Sequence, residues 1–140
     1  MITWERVEAF ALTLPETTST PSYGGAPALR VNKKMFARLR GEMADDLDAL
    51  TGAPYGEVLM VGVGDLGEKE AVLASDPRAY FTVPHYDGYP AVLVRLARCD
   101  PEELRELLLD AWLRAAPKRA QKAWVEQFGA LPTGGQGHSA

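Results

Sequence analysis

The sequence predicts an α+β fold, a two-layer sandwich in which N- and C-terminal helices pack on one face of an antiparallel β-sheet. Three observations carry this prediction. An amphipathic helical pattern opens the chain, short apolar or alternating segments separated by turn residues occupy its middle, and a second helical pattern follows. An order of helix, strands and helix is typical of two-layer α+β domains.

Helical spacing is clearest at the two ends of this pattern. Thr3 is suited to cap a helix over residues 3–14, in which apolar side chains recur at helical intervals. Asp100 is suited to cap the last long helix, and Pro117 breaks or kinks it before a further helical segment that continues to residue 128. The predicted buried stripe of the last long helix consists of Leu104, Leu107, Leu108, Ala111 and Trp112.

The predicted sheet lies between these helices. Its most regular strand is residues 91–96, a β-branched apolar run bounded by turn residues, as a buried strand requires. Residues 17–25 are interpreted as a turn-rich connection, and the acidic residues 41–55 as either one short helical turn or an exposed excursion. The other predicted elements are a strand over 57–63, a short helix over 67–75 with Ala71, Val72 and Leu73 facing the core, and an extended piece over 78–83.

A β-hairpin is predicted before the acidic segment. Residues 28–31 and 35–40 flank a three-residue loop, Asn32-Lys33-Lys34. In this register one face carries apolar side chains, and the other carries the charged ones together with one aromatic ring. The apolar face is Leu29, Val31, Met35, Ala37 and Leu39, and the opposite face is Arg30, Phe36, Arg38 and Arg40.

Length and composition favour a single globular domain. The chain has 140 residues, of which 46% are hydrophobic and 24% charged. We expect one domain over residues 1–128 and a disordered, glycine-rich tail over residues 129–140. The single cysteine, Cys99, excludes an internal disulfide, and no apolar run is as long as a membrane span. A cytoplasmic location is the resulting expectation.

The net charge of −4 is unevenly distributed along the chain. Residues 1–40 carry a net charge of +3, whereas residues 41–76 contain nine acidic residues and one basic residue. A strongly basic chain would attract nucleic acid at long range, and this chain lacks that balance. Any contact with phosphates must therefore come from a local basic patch.

The segment Gly62–Gly67 matches the G-x-G-x-x-G pattern, follows a predicted strand and precedes a predicted helix. The functional interpretation is a phosphate-binding loop. Glu68 and Glu70, however, place negative charge at the helix N-terminus, where a pyrophosphate would lie. The strands are also too hairpin-like for a doubly wound sheet, so we interpret the segment as a structural turn.

The densest polar and aromatic cluster lies just before strand 91–96. Within it, Asp87 can orient the His85 imidazole for acid–base chemistry, but no serine or cysteine nucleophile accompanies them at a recognisable spacing. A structural bend is the favoured interpretation, and no enzyme activity, cofactor or metal site is predicted. The alternative is a ligand pocket formed by Tyr23, His85, Tyr86 and Tyr89, with Trp112 as a further candidate.

Two groups of basic residues are candidates for contact with nucleic acid. The first lies on the predicted hairpin, where a basic β-ribbon with one aromatic ring can contact phosphates or stack on a base. The second follows Pro117, at the start of the last helical segment. The alternative for both is a solvated surface, with the hairpin arginines paired to the acidic residues 42–48. The candidates are Arg30, Lys33, Lys34, Phe36, Arg38, Arg40, Lys118 and Arg119.

Several of these segments also resemble a known family. They are Lys34-Met35-Phe36-Ala37-Arg38-Leu39, Thr82-Val83-Pro84-His85-Tyr86, Gly88-Tyr89-Pro90-Ala91-Val92-Leu93-Val94-Arg95-Leu96 and Ala116-Pro117-Lys118-Arg119. In order and spacing, over about residues 4–124, the chain resembles the MmcQ/YjbR family. The resemblance implies a frataxin-like two-layer sandwich. It also implies DNA binding through a double wing of β-hairpins, with Lys34, Phe36 and Arg38 as the matched wing residues.

Two functional hypotheses follow. The first is a non-enzymatic DNA-binding protein that contacts phosphates through the basic hairpin, as the resemblance implies. The second is a protein that binds or sequesters a small molecule, such as a drug or a toxic compound, in the tyrosine- and histidine-lined pocket. The sequence predicts no oligomeric state.

Overall fold

The computed structural model describes residues 2–22 and 25–129. This part of the chain contains four helices and six strands. The helices are α1 (Trp4–Ala11), α2 (Leu66–Ser75), α3 (Pro101–Ala115) and α4 (Lys118–Phe128). The strands are β1 (Thr17–Pro21), β2 (Pro27–Val31), β3 (Lys34–Leu39), β4 (Val58–Gly62), β5 (Tyr80–Phe81) and β6 (Ala91–Arg95). Short 3₁₀ turns lie at Gly41–Met43 and Pro84–Tyr86. The α+β class predicted from the sequence is confirmed.

All six strands belong to one antiparallel sheet with the order β1-β2-β3-β4-β6-β5. β6 lies inside the sheet, and each of its five residues is buried, which confirms the strand predicted over residues 91–96. At the opposite edge, the turn-rich connection predicted over residues 17–25 is wrong for Thr17–Pro21. Pairing with β2 extends this segment although its side chains show no apolar alternation.

The two faces of the sheet have different coverings. Alternation along β4 directs Leu59 and Val61 toward the helices, where they share the main core with Trp112 of α3. Val58 and Met60 point to the opposite face, which we call the outer face. The outer face carries a smaller core of Met43, Val58, Met60, Ala91 and Leu93, with Tyr55, Phe81, Val83 and Tyr86 packed against it. Loop segments therefore cover the outer face.

The predicted helix signals coincide with observed helix ends. Thr3 caps α1 and Asp100 caps α3, each by accepting a hydrogen bond from a backbone N–H of the first turn. Pro117 separates α3 from α4, and the five residues predicted for the stripe of α3 are all buried. Trp112 is fully buried and donates from Nε1 to the Pro15 carbonyl at 3.2 Å. Trp112 therefore belongs to the helical core, and its candidacy for the pocket is wrong.

Other local predictions need correction or lie outside the described residues. α1 ends at Ala11 and is shorter than the predicted 3–14, and Ala71 is exposed because α2 packs through Val72 and Leu73 instead. Tyr23 and residues 130–140 lie outside the described residues, so the pocket role of Tyr23 and the disordered tail stay predictions. Among the residues described, none of the helices combines the length and apolar character needed to cross a membrane.

Candidate ligand and nucleic-acid surfaces

The tip of the β2–β3 hairpin presents two exposed lysines. A two-residue turn joins the strands, because Val31 pairs with Lys34, so the predicted three-residue loop is wrong. Asn32 and Lys33 have φ of 48° and 72°, as a type I′ hairpin turn requires. Lys33 and Lys34 are exposed, and no carboxylate of residues 2–22 or 25–129 lies within ion-pair distance of either.

A β-bulge changes the predicted faces of the hairpin. Leu29 pairs with Ala37, but Arg30 pairs with Met35, so Phe36 is an extra residue on β3. Phe36 turns into the main core, where it is 3% exposed, and Met35 moves to the outside, where it is 38% exposed. The prediction that Phe36 lies on the solvent-facing side of the hairpin is therefore wrong, and its ring is not accessible for stacking on a base.

Two of the hairpin arginines share one carboxylate. Glu42 Oε2 accepts from Arg38 Nη2 at 3.1 Å and from Arg40 Nε at 2.7 Å, and both arginine side chains are only 13% exposed. Burial alone would raise the pKa of the Glu42 carboxyl, but a backbone hydrogen bond and the two guanidinium groups lower it below its usual value. Arg40 also lies over the Tyr86 ring, 5.1 Å from its centroid. The pairing with acidic residues that the sequence offered as the alternative thus applies to Arg38 and Arg40.

The start of α4 lies beside the hairpin turn. Arg119 donates from Nη2 to Asn32 Oδ1 at 3.2 Å and makes a two-pronged ion pair with Glu16, through Nε–Oε2 at 2.9 Å and Nη2–Oε1 at 2.8 Å. Lys118 precedes it, is exposed, and has no ion-pair partner within the described residues. Arg30 is half-buried and donates to a threonine hydroxyl of β1 at 3.3 Å. We call Lys33, Lys34 and Lys118 the hairpin-tip surface.

A pocket of about 240 Å³ opens on the outer face. We call it the outer pocket, and its lining residues are Met35, Arg38, Met60, His85, Tyr86 and Tyr89. Arg38 and Met60 are register partners on neighbouring strands, so their side chains share this face. The Tyr86 ring lies 5.1 Å from His85 in an edge-to-face arrangement and 5.8 Å from Tyr89. Three of the four residues predicted for a ligand pocket therefore line one cavity.

A buried lysine holds the loop that forms the pocket wall. Lys69 of α2 is 5% exposed, and its Nζ donates to the Tyr86 carbonyl at 2.6 Å and to the Tyr89 carbonyl at 2.9 Å. These bonds satisfy two backbone acceptors of the loop and tie it to the helix. Sequence reasoning missed Lys69, because a lysine between Glu68 and Glu70 resembles an ordinary exposed helical residue.

The acidic segment supplies a buried ion pair beneath the same face. Asp48 is 2% exposed, and its carboxylate accepts from the Arg95 guanidinium through Nε and, at 2.9 Å, through Nη2. Arg95 also lies over the Phe81 ring, which stacks on Tyr55 at 5.1 Å. The hydrogen bonds from Arg95 lower the pKa of Asp48, although burial opposes them. The acidic segment contains one 3₁₀ turn, Gly41–Met43, and it is anchored by two buried side chains, Met43 and Asp48. The available sequence signal was a charged residue, Arg95, at the end of an apolar strand.

The glycine pattern has a structural role in the described chain. Asp65 caps α2 by accepting from Glu68 N at 2.8 Å, and the Glu68 carboxylate accepts from Gly64 N at 2.7 Å. The two bonds resemble a capping box, except that the Glu68 carboxylate accepts from the residue before the cap, and the protein carboxylates fill the position that a phosphate would need. The interpretation as a structural turn agrees with this geometry.

Comparison with known proteins finds a matching family model, similar sequences and a similar solved structure. A sequence model of the YjbR family matches residues 12–114, which include the hairpin and the outer pocket but not Lys118. "Uncharacterized protein Rv2570" of Mycobacterium tuberculosis and "Uncharacterized protein Mb2600" of Mycobacterium bovis are each 41% identical to this chain over 133 residues, covering 92% of it and 100% of the relative. The crystal structure of Deinococcus radiodurans protein DR2400, of family DUF419, covers 100% of this chain and 96% of its own at a TM-score of 0.62 and 23% identity, a likeness of fold.

Proposed function

The chain belongs to the YjbR family, and from that premise we propose that it binds nucleic acid without catalysis, through the hairpin-tip surface. The observation that carries the proposal is the hydrogen bond between Arg119 and Asn32 at 3.2 Å. It brings the start of α4 beside the hairpin turn, and from this contact we infer that Lys118 lies near Lys33 and Lys34, although 84 or more residues separate them in the chain. The surface combines both basic segments that the sequence singled out.

The composition of this surface defines the kind of binding. Lysines act as point charges on phosphates and carry no base recognition by themselves. The aromatic ring that could have stacked on a base, Phe36, is buried, and Arg38 and Arg40 are paired with Glu42. We therefore expect contact with the duplex backbone, independent of base sequence, and no preference for single strands.

The expected affinity is low and strongly dependent on salt. Neutralising three phosphates gives a slope of about −2.7 in a plot of log affinity against log salt concentration. Between about 50 and 200 mM salt this slope corresponds to a loss of about 40-fold in affinity. The net negative charge of residues 41–76 does not attract DNA at long range, so binding should be confined to low salt.

The test is fluorescence anisotropy of a short labelled duplex, titrated with the full chain across this salt range. Lys34→Glu should weaken binding and flatten the salt slope by about one unit or more. The control is Arg6→Glu, which makes the same change of charge on α1, at the end of the sheet where Trp4 N contacts Glu57. Arg38→Gln should leave the DNA affinity unchanged, because Arg38 is paired and outside the hairpin-tip surface.

Three outcomes would contradict the proposal. The first is the absence of measurable binding at about 50 mM salt. The second is an equal loss of affinity in Arg6→Glu and Lys34→Glu, and the third is a salt slope that Lys34→Glu leaves unchanged. Thermal melting of each variant establishes that the loss of binding is not a loss of folding.

A further inference from the structure

We propose that the outer pocket is a binding site for a flat aromatic compound that carries an anionic group. None of the three lysines of the hairpin-tip surface lines the pocket, and the lining is different in chemistry. Three separate segments form it: β3 supplies Met35 and Arg38, β4 supplies Met60, and the loop before β6 supplies the rings. Such convergence of apolar walls and one charged group is typical of small-molecule sites.

The walls are suited to a planar ring. Met35 and Met60 have polarisable thioethers, which pack favourably against aromatic faces. Tyr89 is 51% exposed and Met35 is 38% exposed, so apolar surface is presented to solvent at a concave position. The volume of about 240 Å³ exceeds the roughly 150 Å³ of a cavity that takes up benzene and is below that of most drug-sized sites. A compound of one or two rings fits this space.

The charge at the pocket favours an anion. Arg38 is the cationic side chain in the pocket lining, and it shares the carboxylate of Glu42 with Arg40. Among the described residues Arg38 donates only through Nη2, so its Nε and Nη1 are available to a ligand in the pocket. A guanidinium with free donors in a partly desolvated place binds a carboxylate or a similar anion well.

The pocket is held in shape before any ligand arrives. Lys69 fixes the carbonyls of Tyr86 and Tyr89, and Arg40 lies against the Tyr86 ring. A wall fixed in this way has little conformational freedom to lose on binding, which favours affinity. The lysine acts through the loop, and we assign it a positioning role only.

The test is a titration of the isotope-labelled full chain followed by amide chemical shifts, with naphthoate as the probe. Two matched compounds separate the two requirements: naphthylmethanol has the same rings without the charge, and cyclohexanecarboxylate has the charge without an aromatic ring. Naphthoate should bind most tightly, with shifts at residues 35, 38, 60 and 85–89. Binding should weaken about tenfold or more in Arg38→Gln and severalfold in Tyr89→Ala.

The matched control is Phe128→Ala, because Phe128 is also 51% exposed and lies at the end of α4, outside the pocket. Naphthoate affinity should be unchanged in this variant. Equal affinity for naphthylmethanol would refute the anionic part of the proposal, and equal affinity for cyclohexanecarboxylate would refute the aromatic part. Shifts confined to other residues, or no binding at all, would overturn the site itself. Lys118→Glu, a change in the hairpin-tip surface at the start of α4, should retain naphthoate binding, so failure of the nucleic-acid proposal is distinguishable from failure of this one.

Discussion

The buried pair between Asp48 and Arg95 permits a quantitative prediction for Asp48→Asn. The two residues are 2% and 7% exposed, so the variant leaves a buried guanidinium without its counter-charge. Arg95 keeps two carbonyl acceptors, Pro77 at 3.3 Å and Arg78 at 3.2 Å, and the Phe81 ring at 4.3 Å. Breaking a buried pair costs about 3–5 kcal/mol, and the retained contacts place this variant near 3 kcal/mol. The midpoint of thermal unfolding should therefore fall by about 10 °C.

The assay is thermal unfolding followed by circular dichroism at several pH values. The folded-state pKa of Asp48 is lowered by Arg95, so the stability due to the ionised carboxylate is fully present above the ordinary pKa of about 3.9 and is lost as pH falls through the folded value. Asp48→Asn lacks this contribution at every pH. The difference in midpoint between the two proteins should therefore be largest near neutral pH and should shrink below about pH 4.

The control is Glu16→Gln, which removes the carboxylate of the exposed pair with Arg119. Water screens exposed pairs, so the midpoint of this variant should stay close to that of the parent protein. A fall in Asp48→Asn no larger than that in Glu16→Gln would refute the reasoning. A difference between parent and Asp48→Asn that stays constant on acidification would refute the assignment to ionised Asp48.

Two further predictions concern buried titratable groups. Lys69→Met should leave the carbonyls of Tyr86 and Tyr89 unpaired and should accelerate amide exchange in residues 84–90. Lys122→Met, on the exposed surface of α4, should not change amide exchange in these residues. Equal exchange rates in the two variants would count against the role of Lys69 in anchoring the loop. Burial raises the pKa of the Cys99 thiol to about 11, so alkylation by iodoacetamide near neutral pH should be slow in the folded chain and fast in denaturant. Rapid alkylation of the folded chain would contradict this.

The elements that the sequence predicted well are those with strong local signals. Thr3 and Asp100 precede amphipathic stripes, and each caps a helix. The apolar run at residues 91–96 became a central strand. By contrast, β1 has no apolar alternation, because this edge strand is only partly buried on either face. Its strand conformation is recognised only from its pairing with β2.

The sequence predicted part of the candidate sites, and its error at Phe36 comes from the register of the β2–β3 hairpin. The sequence indicated His85, Tyr86 and Tyr89 as a group because they are neighbours in the chain. It assigned Phe36 to the wrong face because a strand with strict alternation would place it there, whereas the bulge shifts the register by one residue. No pattern in a single sequence marks a bulge that carries no glycine or proline.

Local sequence signals were sufficient for the order of the helices and of strands β2 to β6, the main helix caps, and the residue types available for binding, since these depend on interactions within a few positions of the chain. Which charges remain free depends instead on contacts between residues that are distant in the chain. The tertiary structure paired Arg38 and Arg40 with Glu42, buried Asp48 against Arg95, and directed Lys69 to the loop beside the pocket. Such pairings depend on the register of strands and the path of loops between distant residues, and they separate the hairpin-tip surface from the outer pocket.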